Sequence, residues 1–180
     1  MSIIWKIMGL LKAGWYKLRF GKRIHFAGRL FLEGTAKIDL EQGSAEIGRA
    51  LYVKTNSLLR ATNGGHLSIG NDVNINRNCM IVCHDGITIG SGVSIGPSVN
   101  IYDHDHNFGP GGLEKGYRTS PVWIGPRCWI GAGTTILRGT RIGEGSVIGA
   151  GCVVKGEIPP HSLVTSDRHL NITPIENRRV

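Results

Sequence analysis

The sequence predicts an all-β chain: a parallel β-helix wound from six-residue units, with a projecting loop and a short N-terminal helix. Three observations lead there. Ile-Gly occurs eight times, at 47, 69, 89, 95, 124, 130, 142 and 148. From Ile69 the chain divides into units that each open with Ile: IGNDVN, INRNCM, the eight-residue IVCHDGIT, IGSGVS and IGPSVN, then, after an interruption, IGPRCW, IGAGTT, ILRGTR, IGEGSV and IGAGCV. Gly makes up 27 of the 180 residues, with no three-residue period that would suggest collagen.

A period of six is neither the 3.6 of a helix nor simple alternation. It suits short strands joined by sharp corners, where one aliphatic side chain points inward and Gly allows a tight backbone. Three units close a triangular coil of about 18 residues, and coils stack in parallel ladders. The repeat is strong from Ile69 to Val153 and faint from Ile24 to Leu67. Its fifth position is small or β-branched: Val73, Cys79, Val93, Val99, Cys128, Thr134, Thr140, Ser146 and Cys152. Three of the four cysteines are thereby assigned to core filling. Cys83, in the eight-residue unit, is expected nearer the surface.

The elements follow in order. Residues 1–22 form an N-terminal amphipathic segment, 23–160 the β-helix domain with its loop at 103–121, and 161–180 a tail. In "SIIWKIMGLLKAGWYKLRF", Ile3, Ile4, Ile7, Met8, Leu11, Trp15 and Leu18 share one helical arc flanked by Lys6, Lys12, Lys17 and Arg19. Such a helix suits the headgroup region of an anionic membrane, a peripheral contact through residues 2–20. It equally suits a cap on the open end of a solenoid. Residues 1–37 carry eight cationic side chains against Glu33 alone, nearly all of the net charge of +8. A nucleic-acid binder would carry that charge on its folded body, so no nucleic-acid partner is expected. No clean signal peptide or membrane-spanning run is visible, which gives a cytoplasmic expectation, on the inner face of the membrane if the helix binds it.

Function is expected where the repeat breaks. The large break, DHDHNFGPGGLEKGYRTSP, reads as a loop leaving one prism edge. The small break is the two-residue insertion beside His84. One coil separates them, so His84, Asp103, His104, Asp105 and His106 fall in one neighbourhood. A neutral His suits deprotonation of an attacking group, and a carboxylate on its other ring nitrogen fixes the tautomer. Asp103 and Asp105 are both candidates for that carboxylate.

The segment "VWIGPRCWIGAGTTILRGTRIGEGSVIGAGCVVKGEIPPHS" resembles, almost unit for unit, the hexapeptide-repeat acetyltransferases that O-acetylate sugars and polysaccharides (the maltose and galactoside acetyltransferase superfamily). The resemblance covers about residues 60–160. It implies a left-handed β-helix, acetyl-CoA as co-substrate with no metal, and a sugar or surface-glycan hydroxyl as acceptor. It also implies a homotrimer in which the coenzyme groove and the catalytic His come from neighbouring subunits. Counting from shared Ile-Gly landmarks puts His104, not His106, on the family's catalytic position and Asn78 near the acetyl group. Trp129, Ala132 and Ala150 fall on the coenzyme A channel. His84, Asp105 and His106 are then candidate acceptor contacts, and Lys155, Arg168, Arg138 and Arg141 candidate phosphate partners. The chain departs from the family in Lys155-Gly156, in "VTSDRHLNI" and in lacking the helical N-terminal module. An N-acetyltransferase of an amino sugar or antibiotic would share the donor site. A zinc enzyme of γ-carbonic-anhydrase type would use His84, His104 and His106, though their spacing does not match that family. A non-enzymatic repeat scaffold is the remaining class.

Overall fold

A computed structural model of the chain describes residues 3–167, with side chains from Leu11 on. From Ile24 to Val164 the chain winds as a left-handed parallel β-helix, each coil giving one strand to each of three sheets that form a triangular prism. Face 1 holds Ile24–Phe26, Ser44–Ile47, His66–Ile69, Gly86–Ile89, Val122–Ile124, Arg141–Ile142 and Glu157–Ile158. Face 2 holds Leu30–Leu32, Leu51–Val53, Val73–Ile75, Ser94–Ile95, Trp129–Ile130, Val147–Ile148 and Leu163–Val164. Face 3 holds Lys37–Leu40, Leu58–Ala61, Met80–Cys83, Asn100–Tyr102, Thr135–Ile136 and Val153–Val154. Below, each edge is named by the two faces it joins.

The core sits inside the prism and follows the repeat. Each Ile that opens a unit from Ile69 to Ile148 is buried, as is each small fifth-position residue from Val73 to Cys152. The hydroxyls among the latter donate to main-chain carbonyls: Thr134 to Gly149 (3.1 Å), Thr140 to Val154 (3.1 Å) and Ser146 to Pro159 (2.9 Å). Satisfied in this way, they cost the core little. Coils stack at the strand spacing of about 4.8 Å, and this dictates the Gly that follows Ile. A Cβ on Gly90 would lie 2.5 Å from Pro126 N, and one on Gly143 would lie 2.2 Å from Pro160 N. The requirement is close approach of backbones, not a left-handed φ.

The faint N-terminal repeat is the same prism with longer corners. Ile24 pairs with Ala45, 21 residues on, whereas Trp123 pairs with Arg141, 18 on. At the other end the ladder continues past residue 160, through Leu163–Val164 on Val147–Ile148. Cys83 corrects the expectation of surface placement: it is fully buried, and burial together with the nearby Asp103 carboxylate pushes its thiol pKa well up. The stretch 103–121 is likewise not an irregular loop. It is an antiparallel hairpin of His104–Gly109 and Gly112–Thr119 around a Pro110-Gly111 turn. Its Gly and Pro content hid two strands that pair only with each other.

A helix, α1 (Ile3–Phe20), closes the N-terminal end of the prism. It packs on the first strands of faces 1 and 2, and its buried Tyr16 hydroxyl accepts a hydrogen bond from Ile38 N–H on face 3 (3.0 Å). Lys12 Nζ donates to Leu32 O (2.8 Å), and Arg23 donates to Leu40 O (2.6 Å). The cap reading of α1 therefore holds for the side bearing Tyr16 and Phe20. The opposite side exposes Leu11 (69%), Trp15 (51%) and Leu18 (87%). Ile3, Ile4, Ile7 and Met8 of the same arc lie outside the residues whose side chains are described. No described helix is long and apolar enough to cross a membrane.

The stacking argument predicts that Gly90→Ala lowers unfolding free energy by about 1–3 kcal/mol through overpacking. Gly111→Ala, where a Cβ meets nothing within 4 Å, changes it by less than about 0.5 kcal/mol. Urea denaturation of the two variants checks both values.

Candidate functional site

The two breaks in the repeat meet at edge 3/1. Face 3 delivers Cys83 into the insertion His84-Asp85, and one coil on it delivers Tyr102 into the hairpin. Between them lies Asp103, with no exposure at all. Its Oδ1 accepts the N–H of His84 (2.8 Å), and its Oδ2 accepts those of Asp85 and Gly86 (both 2.8 Å). The insertion thus turns three backbone donors toward one carboxylate, which offsets the cost of burying its charge. Asp103 O also accepts Ser120 N–H (2.8 Å), closing the base of the hairpin.

From this anchor the neighbouring histidine is set. Asp103 Oδ1 lies 3.2 Å from His104 Nδ1, and the His104 side chain is only 13% exposed. A carboxylate facing Nδ1 places the proton there and leaves Nε2 with its lone pair. His84 stacks on His104 with ring centroids 3.6 Å apart and 9° between planes. Asn63 Nδ2, one coil toward the N-terminus, lies 3.2 Å from His84 Nδ1. Burial, then the neighbouring His104, lowers the His84 pKa against the opposing pull of Asp103. Tyr117, from the second hairpin strand, meets both rings edge-on at 4.5 and 5.3 Å and tilts against His106 at 4.7 Å. On the N-terminal side of the pair opens a cleft of about 500 Å³ lined by Glu41, Arg60, Asn63, Met80, His84 and Tyr117, among others. Arg60 hydrogen-bonds Glu41 across it, which lowers the carboxyl pKa and raises that of the guanidinium.

The expected residues divide into two groups. His84, Asp103, His104 and His106 come together at edge 3/1. Asp105 joins the same hairpin but pairs with Arg138 Nε, so it is not the partner of His104, and Arg138 is not a free cation for phosphate. Asn78 does not join them: it turns edge 2/3 in a left-handed conformation (φ 60°), with face 3 between it and His104. Ala132 and Ala150 lie on that same edge 2/3, one above the other, with Gly151 N–H donating to Ala132 O (2.7 Å). Trp129 stands 58% exposed on the adjoining face 2. Lys155 is exposed on edge 3/1, and Arg141 lies over Trp123 on face 1. Arg168 lies outside the described residues. Among the described residues no group of three or more His, Cys, Asp or Glu side chains is arranged to hold a metal ion.

Sequence reading missed Asn63, Arg60 and Tyr117. Counting one coil back from His84 reaches Asn63 in "ATNGG", a signal the longer N-terminal coils obscured. Tyr117 requires the hairpin register, which pairs it with His106.

Comparison with known proteins agrees with this architecture. Residues 121–156 match the family described as bacterial transferase hexapeptide (six repeats). Nodulation protein L of Rhizobium meliloti (strain 1021) is 38% identical over 87 residues, 48% of this chain and 46% of that protein. Nodulation protein L of Rhizobium leguminosarum bv. viciae is 45% identical over 63 residues, 34% of this chain and 33% of that protein. The match therefore spans less than half the length of these relatives. Among solved structures, a maltose O-acetyltransferase from Clostridium difficile 630 superposes with a TM-score of 0.53 at 28% identity, covering 79% of this chain and 65% of that one. AntD, an N-acyltransferase from Bacillus cereus crystallised with a dTDP-sugar and coenzyme A, reaches a TM-score of 0.72 at 19% identity, covering 84% and 82%. The latter likeness is one of fold. The chain resembles the hexapeptide-repeat acetyltransferases in repeat, fold and sequence.

The folded state holds the His84 pKa below its unfolded value of about 6.5, so protonation favours the unfolded chain. The contribution of His84 to stability is fully present above about pH 6.5 and is lost as pH falls through the lower folded value. Melting temperature followed downward from pH 7 shows this loss, and His84→Gln flattens it.

Proposed function

We propose that this chain, which carries the bacterial transferase hexapeptide, is an acetyltransferase that moves the acetyl group of acetyl-CoA to a hydroxyl of a sugar or surface glycan. The observation that carries the reading is the Asp103–His104 couple, 3.2 Å apart and opening beside a cleft. Asp103 keeps the proton on Nδ1, so Nε2 is the base. As the acceptor oxygen attacks the thioester carbonyl, its O–H bond breaks and the proton passes to His104 Nε2. The new C–O bond gives a tetrahedral oxyanion. Collapse breaks the C–S bond, and the departing thiolate takes the proton back from His104, which leaves the ester and coenzyme A. General-base assistance of this kind is worth about 10²–10⁴-fold.

A shared site between copies supports a homotrimer. Asn78, Ala132 and Ala150 occupy edge 2/3 with Trp129 beside them, while His104 occupies edge 3/1. Three prisms with face 3 turned to a common axis bring edge 3/1 of one against edge 2/3 of the next. Val153, exposed on face 3, is an apolar contact such packing would cover. The pantetheine arm then runs along Trp129 and the Ala132–Ala150 shelf, and Asn78 of one copy reaches the acetyl group beside His104 of its neighbour.

The cleft on the N-terminal side of His104 supplies the acceptor. It combines donors and acceptors on Arg60, Glu41 and Asn63 with the apolar wall of Tyr117, a mixture suited to a polyhydroxyl ring. The bare ridge of Leu11, Trp15 and Leu18 supports peripheral binding to the inner face of the membrane. Exposed Lys17, Arg19, Lys22, Arg23 and Arg29 surround it at the same prism end, complementary to anionic headgroups.

Two outcomes are expected. With an acceptor identified by mass-spectrometric screening of free sugars, nucleotide sugars, aminoglycosides and polysaccharide, His104→Ala loses about 10²–10⁴-fold in acetyl transfer while remaining trimeric. Transfer at the parent rate would rule out the base assignment, and modification of amines only would move the reading to N-acetylation. In flotation with vesicles containing phosphatidylserine, the parent protein rises with the lipid and a Leu11, Trp15 and Leu18 triple Ser variant stays behind. Equal flotation of the two would remove the ridge from the account.

A further inference from the structure

The stacked histidine pair is more than one base with a neighbour. Each ring has one nitrogen tied to a partner, and the two partners have opposite hydrogen-bonding character. The Asp103 carboxylate only accepts, so His104 must present N–H at Nδ1 (3.2 Å) and keep its lone pair on Nε2. The Asn63 Nδ2 group only donates, so His84 must accept at Nδ1 (3.2 Å) and carry its proton on Nε2. Two chemically identical rings, 3.6 Å apart and 9° from parallel, thus face partners that favour complementary tautomers. His84 lines the cleft with Tyr117, whose ring stands edge-on to both histidines and fixes the stack from the hairpin side.

Resting on the acetyl-transfer reading, we infer that His84 is a second catalytic residue, donating a hydrogen bond from Nε2–H to the acceptor oxygen that His104 deprotonates. The two rings divide the work on one hydroxyl. His104 Nε2 receives its proton, and His84 Nε2–H meets the lone pair left behind. Before attack the bond to a neutral hydroxyl is an ordinary one. It strengthens as the proton leaves and negative charge gathers on oxygen, so it stabilises the transition state more than the ground state. The donor must stay neutral, since a charged His84 would press a second cation against His104 just as that ring becomes imidazolium. Burial and the adjacent His104 hold His84 in its neutral form. The roles cannot be exchanged, because each is fixed by its own partner: Asn63 from the coil below and Asp103 from the coil above.

The test is made on the full-length protein with ¹⁵N-labelled histidine. Ring-nitrogen shifts separate protonated from unprotonated positions, and the expected result is a proton on Nδ1 of His104 and on Nε2 of His84. Asn63→Asp replaces the donor by a carboxylate that can only accept, forcing the His84 proton to Nδ1. Asp, like Asn, tolerates the left-handed conformation at this position (φ 54°). The His84 resonances should then exchange, and kcat should fall about 10²-fold with KM for acetyl-CoA unchanged. His84→Phe keeps the stack without the donor and should fall as far, while His84→Gln retains an N–H and recovers part of the loss. A proton on Nδ1 of His84 in the parent protein would overturn the inference, as would His84→Phe turning over at the parent rate while His104→Ala is inactive. An active His104→Ala variant would instead sink the acetyl-transfer reading, and the resonances would still decide the tautomers.

Discussion

A carboxylate with no exposure to solvent, that of Asp103, holds this site together. Its charge is tolerable only because the backbone of one coil turns three N–H groups onto it, from His84, Asp85 and Gly86. Those donors exist because two residues were added to a six-residue unit, so the small irregularity in one coil is what permits the large one in the next. The same carboxylate orients His104 and adds to the burial that raises the pKa of the Cys83 thiol. Removing the carboxylate altogether would strip three backbone N–H groups of their acceptor and release the ring it orients. The geometry of this edge rests on one group.

The rest of the prism supplies rigidity and distance. Parallel ladders on three faces fix edge 2/3 and edge 3/1 a full face apart. The proposed shared site would draw its base from one edge and its coenzyme shelf from the other. The N-terminal helix shows a similar economy. One side satisfies the open end of the solenoid through Tyr16, Lys12 and Phe20, which leaves the other free to carry Leu11, Trp15 and Leu18 outward. Capping belongs to one side of the helix, and the exposed apolar ridge lies on the other.

Much was legible in the sequence because a six-residue repeat encodes contacts at fixed separation. Ile and the small fifth-position residues name the core, Ile-Gly names the close approach of coils, and the two breaks name the edge where the histidines gather. What stayed hidden depended on contacts outside that register. The N-terminal coils use longer corners, so Asn63 could not be aligned under His84. The hairpin pairs only with itself, so nothing in the repeat announced that Tyr117 returns over His104. Asp103 and Asp105 were equivalent on paper, two carboxylates flanking one histidine. Their roles separated because Asp103 sits at the bend before the hairpin and turns into the coil below, whereas Asp105 lies in the hairpin strand and pairs with Arg138.

The sequence alone thus determined the solenoid, its core and the edge where the two breaks meet, since these follow from periodicity and from the places where it fails. Tertiary structure decided which atoms face which. It gave His104 a carboxylate and His84 an amide N–H, and it set Asn78 and Trp129 apart from both. Hydrogen-bond partners drawn from different coils are a property of stacking, and a linear repeat does not specify them.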